Sequence, residues 1–424
     1  MKYDVVIIGA GAAGLASARE LSGRGKRVCL LEARDRIGGR IHTLHLPDTP
    51  LPIELGAEFI HGAVDTTFHI VDAASLLAYQ LPDDHWWSEK GEWERIGDFW
   101  GDMDRVRKQI RGTRDRSFAA FLRSRKSFSP RLCTLATQFI EGYHAAHADR
   151  MSTLALKSSD SEQEDPGANL QFRIANGYDA LLAWLRAGID PERVDVRLGH
   201  VVREIRWRDG DVVVQAEGRI EETIRARAAI ITIPIGVWKA PREQRGAIRF
   251  EPELAEKQNA LQHIEVGHVV KIVFRFRECF WEERPFNFLH TSNRFVPTWW
   301  TTAPVRTPTL TAWAGGHAAD ALLAEGEGAM LDRAMEAMAE AFGRKRRELD
   351  ALFVGAHTHD WQADPFSRGA YSYASVGGSG AAAQLAKPLR NTLFFAGEAT
   401  NGEQTGTVAG AIDSGLSAAR KRLS

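Results

Sequence analysis

The clearest pattern of hydrophobic and polar positions lies at the beginning of the chain. Val5–Ile8 and Val28–Leu31 are aliphatic runs of the kind that form buried strands, and the second run ends on Glu32. The residues between the two runs predict a helix. A strand, a helix and a second strand with an acidic end make up the first unit of a dinucleotide-binding fold.

The turn between the first strand and the helix has the spacing Gly-x-Gly-x-x-Gly, at Gly9, Gly11 and Gly14. Gly9 allows the tight turn, Gly11 lets backbone amides approach a pyrophosphate, and Gly14 lets the helix pack closely on the sheet. The N-terminus of the helix adds a positive dipole for the phosphates. Glu32 can bond the two hydroxyls of an adenosine ribose.

The rest of the chain alternates between helical and strand-like regions. Helical patterning covers Asp65–Arg150, strand patterning covers Val194–Ala229, and a further helix is predicted over Ala329–Phe342. The last helix repeats apolar residues on one face, at Val408, Ala411, Ile412, Leu416, Ala419 and Leu423. Its N-terminus, at Gly406-Thr407, offers a second set of free backbone amides.

Composition narrows the class of protein. The 424 residues include 54 Lys plus Arg against 55 Asp plus Glu, so neither nucleic-acid binding nor an acidic tail is indicated. Twelve Trp and 20 Phe suit an apolar pocket. The cysteines, Cys29, Cys133 and Cys279, are scattered, which predicts neither disulfides nor a metal site.

The position of the first strand bears on localisation. It begins at Tyr3, which leaves no room for a signal peptide, and no apolar run approaches the length of a bilayer. We expect a cytoplasmic protein that is not bound to a membrane, as a monomer or homodimer.

The segment after Glu32 adds a second glycine pair followed by arginine, Gly38-Gly39-Arg40. Such a loop suggests a backbone nest and a guanidinium on the same pyrophosphate. With this segment the sequence resembles the flavin-containing amine oxidase family, which includes monoamine oxidases, polyamine oxidases and lysine-specific histone demethylases. The resemblance implies FAD as the cofactor.

Other segments match the family in the same order along the chain. They are Ile53–Gly62, Ile174–Leu181, Val201–Ile205, Ile231–Pro234, the strand of Lys271 followed by Phe280-Trp281, Trp361 with Asp364-Pro365, Gly369–Tyr373, Phe394–Thr400 and Gly406–Ala411. The fold that this resemblance implies is α/β, a Rossmann-type FAD-binding domain with an interleaved α+β substrate-binding domain. The FAD domain is expected over 1–62, 168–234 and 355–424, and the substrate domain over 63–167 and 235–354.

The resemblance assigns a set of residues to the flavin. Those expected to bind it are Gly9, Gly11, Ala12, Ala13, Gly14, Glu32, Ala33, Arg34, Gly39, Arg40, Gly56, Ala57, Glu58, Val202, Trp361, Gly397, Glu398, Gly406, Thr407 and Val408. Monoamine oxidases attach FAD to a cysteine just before an active-site tyrosine. That position is Ala370 here, so noncovalent binding is implied.

Lys271 is expected to be catalytic. Strand alternation places it on one face with Val269 and Val273, a pattern that fits a solvated edge lysine equally well. The resemblance instead implies a desolvated amine that holds a water at flavin N5 and assists reoxidation by dioxygen.

Tyr371 is expected to form an aromatic wall before the flavin, although core packing with a surface hydroxyl is the ordinary reading of such a tyrosine. Monoamine oxidases have a second tyrosine where Thr407 stands, so Thr407 favours the polyamine oxidase and demethylase branches. Glu398 is expected to bond flavin hydroxyls.

Two further site residues each have two possible roles. His61 either faces the substrate amine, as a histidine does in polyamine oxidases, or caps a turn. Glu58 is either a partner for a substrate cation or a buried strut. Glu162, Glu164 and Asp165 form either an acidic rim at the entrance of the site or a solvated loop. Five tryptophans are either pocket walls or part of the core, namely Trp86, Trp87, Trp299, Trp300 and Trp313.

The resemblance implies an FAD-dependent amine oxidase, most similar to polyamine oxidases, with a polyamine as the expected substrate. The α-carbon of the amine would transfer a hydride to flavin N5, the imine would be hydrolysed to a carbonyl, and dioxygen would reoxidise the flavin and give hydrogen peroxide. An L-amino acid oxidase would need an arginine clamp for the carboxylate, and an apolar-substrate desaturase would need a membrane-binding patch. A catalytically inactive flavoprotein would keep the cofactor-binding site but would not oxidise a substrate. A chromatin-bound demethylase would carry extra helical segments, for which we expect no room.

Overall fold

The computed structural model describes residues 3–158 and 167–423. Its strands are β1 (Tyr3–Ile8), β2 (Val28–Leu31), β3 (Thr43–Leu44), β4 (Ile53–Glu54), β5 (Ile60–His61), β6 (Ala78–Gln80), β7 (His85–Glu89), β8 (Glu92–Ile96), β9 (Gln171–Ile174), β10 (Val194–Arg197), β11 (Val201–Arg208), β12 (Asp211–Glu217), β13 (Glu221–Ile231), β14 (Arg249–Glu251), β15 (Ile264–Val266), β16 (Val269–Phe276), β17 (Phe288–Thr291), β18 (Thr298–Trp300), β19 (Thr309–Gly315), β20 (Phe353–Thr358), β21 (Ser372–Ala374) and β22 (Leu393–Phe395). Its helices are α1 (Ala12–Gly23), α2 (Asp65–Ala73), α3 (Phe99–Lys108), α4 (Phe118–Arg123), α5 (Pro130–Tyr143), α6 (Thr153–Ser158), α7 (Asp179–Ala187), α8 (Ile235–Trp238), α9 (Ala255–His263), α10 (His317–Leu323), α11 (Glu327–Phe342), α12 (Arg346–Leu352), α13 (Ala381–Ala386) and α14 (Val408–Leu423).

One sheet carries the predicted dinucleotide-binding unit. Its strand order is β10-β2-β1-β13-β12-β11-β14, and β22 also pairs with β13. β1 is parallel to both neighbours, with Val5 opposite Val28 on β2 and Ala228 on β13. Both faces of β1 and β2 are buried, which explains why these strands read as continuous aliphatic runs. The Rossmann-type fold predicted from the sequence is confirmed.

The first and last helices of the described chain pack on each other over one face of this sheet. A Cβ added at Gly415 of α14 would lie 2.3 Å from the Ala13 carbonyl oxygen of α1, so the two backbones approach as closely as glycine allows. The Ser17 hydroxyl donates to the Gly415 carbonyl at 2.9 Å. The predicted helix over α14 is confirmed, and Ile412 and Ala419 lie in its buried face.

A second sheet has the order β20-β16-β19-β18-β17-β7-β8. Residues of β16 alternate between its two faces: Val270, Ile272 and Phe274 pack in a large apolar core with α11, whereas Lys271 points to the opposite face. β16 lies between β19 and β20, so Lys271 is not on an edge strand. The edge reading of this lysine is therefore wrong.

The region 65–150 differs from its predicted helical pattern. It contains α2, α3, α4 and α5, but β6, β7 and β8 interrupt the helices. Trp87 of β7 is buried beside Phe99 and Phe139, so aromatic packing against the second sheet decides the local structure. The strands predicted over 194–229 and the helix predicted over 329–342 are confirmed by β10–β13 and α11.

Small strand pairings connect segments that are distant in the chain. β9 lies between β5 and β6, and β14 extends the edge of the first sheet beyond β11.

The domain boundaries expected from the sequence stay a prediction. The acidic residues Glu162, Glu164 and Asp165 lie outside the described residues. Within the described ranges, no helix has both the length and the apolar character needed to cross a bilayer.

Candidate active site

A large cavity of about 1220 Å³ lies between the two sheets. Its wall includes the glycine-rich turn after β1 and the end of β2, and it continues to aromatic residues of α5 and the second sheet. Most of the residues predicted to bind the flavin lie on this wall, including Gly9, Gly11, Ala12, Ala13, Glu32, Ala33, Arg34, Gly39, Arg40, Gly56, Ala57, Glu58, Val202, Trp361, Gly397, Glu398, Gly406, Thr407 and Val408.

The glycine-rich turn has the geometry that a pyrophosphate needs. Gly9 has φ +106°, a backbone conformation that side chains rarely adopt. The N-terminus of α1 has no side-chain cap, so no side chain of the protein takes the place that an anion would occupy there. Gly14 does not line the cavity. A Cβ there would lie 1.9 Å from the Gly9 carbonyl oxygen, so its role is the close packing of α1 on β1.

Glu32 ends β2 at the cavity wall and is nearly buried. Its carboxylate accepts from the amides of Ala10 at 2.8 Å and Arg34 at 3.0 Å. Arg34 extends away to an ion pair with Asp364 at 2.8 Å. Despite burial, the bonds from His359 and Arg34 hold the pKa of Asp364 well below its usual range. Glu32 is thus fixed by the backbone and keeps lone pairs for two hydroxyls.

Arg40 and Glu398 join the glycine pair to the second flavin segment. Arg40 donates to Glu398 at 3.0 Å, and the other carboxylate oxygen accepts from the Ser372 hydroxyl at 2.8 Å. Arg40 also donates to the Ala370 carbonyl. Both ends of the carboxylate are therefore oriented before any ligand binds.

The N-terminus of α14 forms another part of the wall. Gly406 has φ +82°, and a Cβ there would lie 3.0 Å from the ring of Tyr371. The Thr407 hydroxyl accepts from the Gly410 amide at 2.9 Å and donates to the Gln404 carbonyl at 2.9 Å. Thr407 therefore caps α14, and its hydroxyl is already engaged.

Glu58 is the centre of a buried ionic cluster. Its carboxylate lies 2.6 Å from the Lys271 ammonium and 2.8 Å from the Arg173 guanidinium. The Trp300 indole also donates to it, at 3.1 and 3.2 Å to the two oxygens. Burial alone would raise the pKa of Glu58, but Lys271 and Arg173 hold it below its usual value. Of the two roles predicted for Glu58, this geometry favours the strut.

Lys271 is 3% exposed and lines the cavity. Besides its ion pair with Glu58, its ammonium donates to the Gly56 carbonyl at 3.2 Å. The Trp300 ring centroid lies 5.7 Å away. An ammonium has three donors, so one remains for a further acceptor in the cavity. Lys271 is therefore desolvated, as its predicted role requires.

Tyr371 lies on the cavity wall with its hydroxyl turned inward. The hydroxyl donates to the Tyr143 carbonyl at 2.9 Å and to the Gly142 carbonyl at 3.3 Å. Burial raises the pKa of the Tyr371 phenol above its usual value. The prediction of a surface hydroxyl is therefore wrong. The hydrogen bonds of the Tyr371 hydroxyl hold the ring in place on the cavity wall.

His61 faces an aromatic cluster. Its ring meets Tyr143 edge-on at 4.8 Å, and Tyr143 stacks on Phe139 at 5.0 Å. Burial lowers the pKa of His61 to about 4, so the ring is neutral at ordinary pH. His61 pairs with Gln171 across β5 and β9, which places it on a strand and not in a cap.

Several cavity residues were not predicted from the sequence. They are Trp100, Phe139, Tyr143 and His144. The first three lie in α3 and α5, and His144 directly follows α5. A helical period predicts the helix but not its neighbours, although the i, i+4 spacing of Phe139 and Tyr143 was a usable signal. Arg173, which binds Glu58, was also not predicted. Of the predicted tryptophan walls, Trp300 and Trp313 line the cavity, whereas Trp86, Trp87 and Trp299 lie in the cores.

A model of the family described as flavin containing amine oxidoreductase matches residues 12–421. The chain belongs to the flavin-containing amine oxidoreductase family. It therefore shares the flavin dependence of that family, and the family predicted from the sequence is confirmed.

Known proteins resemble the chain over nearly its whole length. Polyamine oxidase 2 of Arabidopsis thaliana is 30% identical over 454 residues, covering 98% of this chain and 87% of that protein. A putrescine oxidase bound to putrescine has the same fold, with TM-score 0.82, 22% identity and coverage of 100% and 99%. A cyclohexylamine oxidase from Brevibacterium oxydans gives TM-score 0.83, 22% identity and coverage of 99% and 98%.

Proposed function

We propose that this chain is an FAD-dependent amine oxidase. The observation that carries the proposal is a single cavity with two kinds of wall. One part has the glycine-rich turn, the uncapped N-terminus of α1 and the ribose-type carboxylate Glu32, and the other has aromatic rings around Lys271. The first part suits a dinucleotide and the second a small organic substrate.

We propose noncovalent binding of the FAD. Among the described residues, the cavity wall contains no cysteine, and the residue before Tyr371 is Ala370. Glu32 would hold the adenosine ribose. The N-terminus of α1 and Arg40 would hold the phosphates, and Glu398 would bond the hydroxyls of the FAD that lie between the phosphates and the flavin ring. Bound FAD would supply an acceptor for the hydride of the amine α-carbon, after which water hydrolyses the imine and dioxygen is reduced to hydrogen peroxide.

The chain itself has to orient the amine and keep water out. Tyr371 and Trp313 form walls whose polar atoms are bonded to the Gly142 and Tyr143 carbonyls, so their ring faces are presented to the substrate. The third N–H of Lys271 is available to hold a water molecule for proton movement during reoxidation.

The site favours a neutral amine. Burial lowers the pKa values of His61 and His144 to about 4, and it lowers that of His290 well below its usual value. Glu58 is already neutralised by two cations. A substrate ammonium would therefore lose water without gaining a counter-ion, which costs several kcal/mol in a buried site.

The same reasoning bears on the body of the substrate. A polyamine, predicted from the sequence and supported by the names of the relatives, needs acceptors for its other ammonium groups. The carboxylates of the described cavity wall are Glu32, Glu58, Asp65, Glu398 and Glu403. Asp65 and Glu403 are exposed, where an ion pair contributes little, and the other three are bonded to amides, hydroxyls or cations of the protein itself. We therefore propose an amine with one nitrogen and an apolar body, with a polyamine as the second candidate.

An L-amino acid fits the described site less well as a substrate. Its carboxylate needs a guanidinium, but the arginines of the described cavity wall are Arg34 and Arg40. Both pair with acidic residues on the predicted cofactor part of the wall. Localisation in the cytoplasm, a monomeric or dimeric state and dioxygen as the acceptor remain predictions.

The experiment that tests the function is anaerobic reduction of the purified flavoprotein. Benzylamine and cyclohexylamine would be compared with putrescine, spermidine and spermine by bleaching of the oxidised flavin band. Faster bleaching by the two monoamines supports the proposal, and faster bleaching by polyamines replaces it with the second candidate. A flavoprotein that no amine bleaches contradicts amine oxidation itself.

A further inference from the structure

A second group of ionisable side chains lies outside the cavity. It consists of His147, in the loop after α5, His268, just before β16, and Asp320 of α10. His147 Nε2 is 2.7 Å from one oxygen of Asp320, and His268 Nδ1 is 2.6 Å from the other. The ligand-type atoms of the three residues all lie within 4.8 Å of one another. Three chain segments thus converge on one small volume.

The backbone fixes how these segments meet. Gly316, which precedes α10, has φ +55° and donates its amide to the His268 carbonyl at 3.0 Å. A Cβ at Gly316 would lie 2.7 Å from the Ala146 carbonyl oxygen, next to His147. One glycine therefore holds the loop of His147, the start of β16 and the start of α10 together. The backbone positions of the three residues are therefore set by the fold.

The hydrogen bond on the far side of His147 orients its ring. His147 is 7% exposed, and its Nδ1 lies 3.3 Å from the Tyr373 hydroxyl. Without a metal, the 2.7 Å contact places the proton on Nε2, which donates to Asp320. With a metal on Nε2, the proton would sit on Nδ1 and donate to the Tyr373 hydroxyl. A second polar partner behind a histidine is the usual support of a metal-binding imidazole.

Further negative charge surrounds the cluster. The His317 ring lies 4.8 Å from that of His147, and His317 pairs with Glu141 at 2.6 Å and Asp149 at 3.4 Å. Glu141, Asp149 and Asp320 together carry three negative charges beside histidines that are neutral ligands when deprotonated. Such a site attracts a divalent cation.

We propose that His147, His268 and Asp320 bind a Zn²⁺ ion. Two imidazole nitrogens and a carboxylate, with water at the fourth position, are a ligand set that zinc accepts, whereas Mg²⁺ prefers oxygen ligands. The protons now shared with the Asp320 oxygens would leave as the metal enters. The ligands are 121 and 52 residues apart along the chain, from 147 to 268 and from 268 to 320, so no local spacing reveals the site.

The test is a calorimetric titration of the tag-free, chelator-treated flavoprotein with ZnCl₂ and, separately, with MgCl₂. We expect saturable binding of one Zn²⁺ per chain and none of Mg²⁺. His268→Ala and Asp320→Asn change the two partly exposed ligands and should each weaken Zn²⁺ binding by about tenfold or more. The matched control is His45→Ala, which removes an exposed histidine paired with Asp179 at 2.9 Å. The flavin spectrum and melting temperature check that each variant folds.

Either of two results would overturn the proposal. One is the absence of saturable Zn²⁺ binding by the wild-type flavoprotein, and the other is equal affinity in His268→Ala, Asp320→Asn and His45→Ala. If the two ligand variants fail to fold, the cobalt spectrum of the wild-type protein decides. Intense d–d bands of a four- or five-coordinate Co²⁺ support the site, and the weak bands of the hydrated ion contradict it.

Discussion

The Glu58 carboxylate lies 2.6 Å from the Lys271 ammonium, and the Arg173 guanidinium lies 2.8 Å from the same carboxylate. One buried anion therefore serves two buried cations from different segments of the chain. The cluster ties the segment after β4 to β9 and to β16. Because the Glu58 carboxylate is already paired with these two cations, it is not available as a counter-ion for a substrate cation.

Glu58→Gln should destabilise the protein strongly. The change leaves Lys271 and Arg173 buried without their counter-ion, and breaking a buried pair in this way costs about 3–5 kcal/mol. Chemical denaturation of the flavoprotein measures the change in the free energy of unfolding. Glu217→Gln is the control, because Glu217 and Arg203 form an exposed pair at 2.6 Å and should contribute under about 1 kcal/mol. Equal losses in the two variants would show that the cluster is not tightly coupled.

Lys271→Met should slow reoxidation more than reduction. Glu58 keeps Arg173 and Trp300 as partners, so we expect the variant to fold. Loss of the donor should lower the rate of reoxidation by dioxygen about 100-fold. Stopped-flow absorbance measures the two half-reactions separately. Lys239→Met, at a lysine paired with Glu265 at 3.6 Å, serves as the control. An unchanged reoxidation rate in Lys271→Met would exclude the proposed role.

Gly14→Ala should abolish flavin binding or folding. A Cβ at this position would lie 1.9 Å from the Gly9 carbonyl oxygen, so α1 would have to move away from β1 and the pyrophosphate turn. Gly23→Ala, at the end of the same helix, has nothing within 4 Å of the added Cβ and should retain the flavin. The ratio of flavin to protein absorbance after purification compares the two variants. Full flavin content in Gly14→Ala would contradict this packing.

The stability of the protein should depend on the protonation of Glu54. Burial raises the pKa of Glu54 from 4.5 to about 7. The unfolded chain therefore loses this proton first, and the folded state is penalised increasingly as pH rises from about 4.5 to 7. Glu54→Gln removes the penalty, so its melting temperature relative to wild type should rise across that window and then level off. A constant difference between pH 4.5 and 8 would show that Glu54 titrates normally.

The pH dependence of turnover should follow the substrate and not the enzyme. The buried histidines His61 and His144 have pKa values lowered to about 4 by burial, so they do not titrate in the alkaline range. kcat/KM should rise with pH as the amine loses its proton. Two amines of different pKa should give profiles displaced by the same difference. Superimposed profiles would assign the titration to a group on the protein.

The cofactor part of the cavity was predictable because its signals are local. The turn at Gly9, Gly11 and Gly14, the acidic residue Glu32 after β2 and the N-terminus of α14 at Gly406-Thr407 each depend on residues close together in the chain. Backbone geometry alone sets their roles. For the same reason β1 and β2 were predicted from their aliphatic runs.

The substrate part was less predictable because it depends on contacts between distant segments. Glu58 and Arg173 are 115 residues apart, and Tyr371 is bonded to a carbonyl 228 residues away. The alternation of β16 placed Lys271 on a face but did not reveal whether that face was exposed. The strands β7 and β8 were missed since packing in an aromatic core, and not local periodicity, stabilises them, and β6 was missed since it pairs with the distant β9.

The packing of α1 on α14 determines when the folding of the first sheet and its helices can be completed. The Ser17 hydroxyl and its acceptor on Gly415 are 398 residues apart in the chain. During synthesis the βαβ unit can complete its packing on α14 only after the residues up to Gly415 have been added. The closest backbone approach in this helix pair, between Ala13 and Gly415, is therefore a contact of very long sequence separation, and such contacts slow folding.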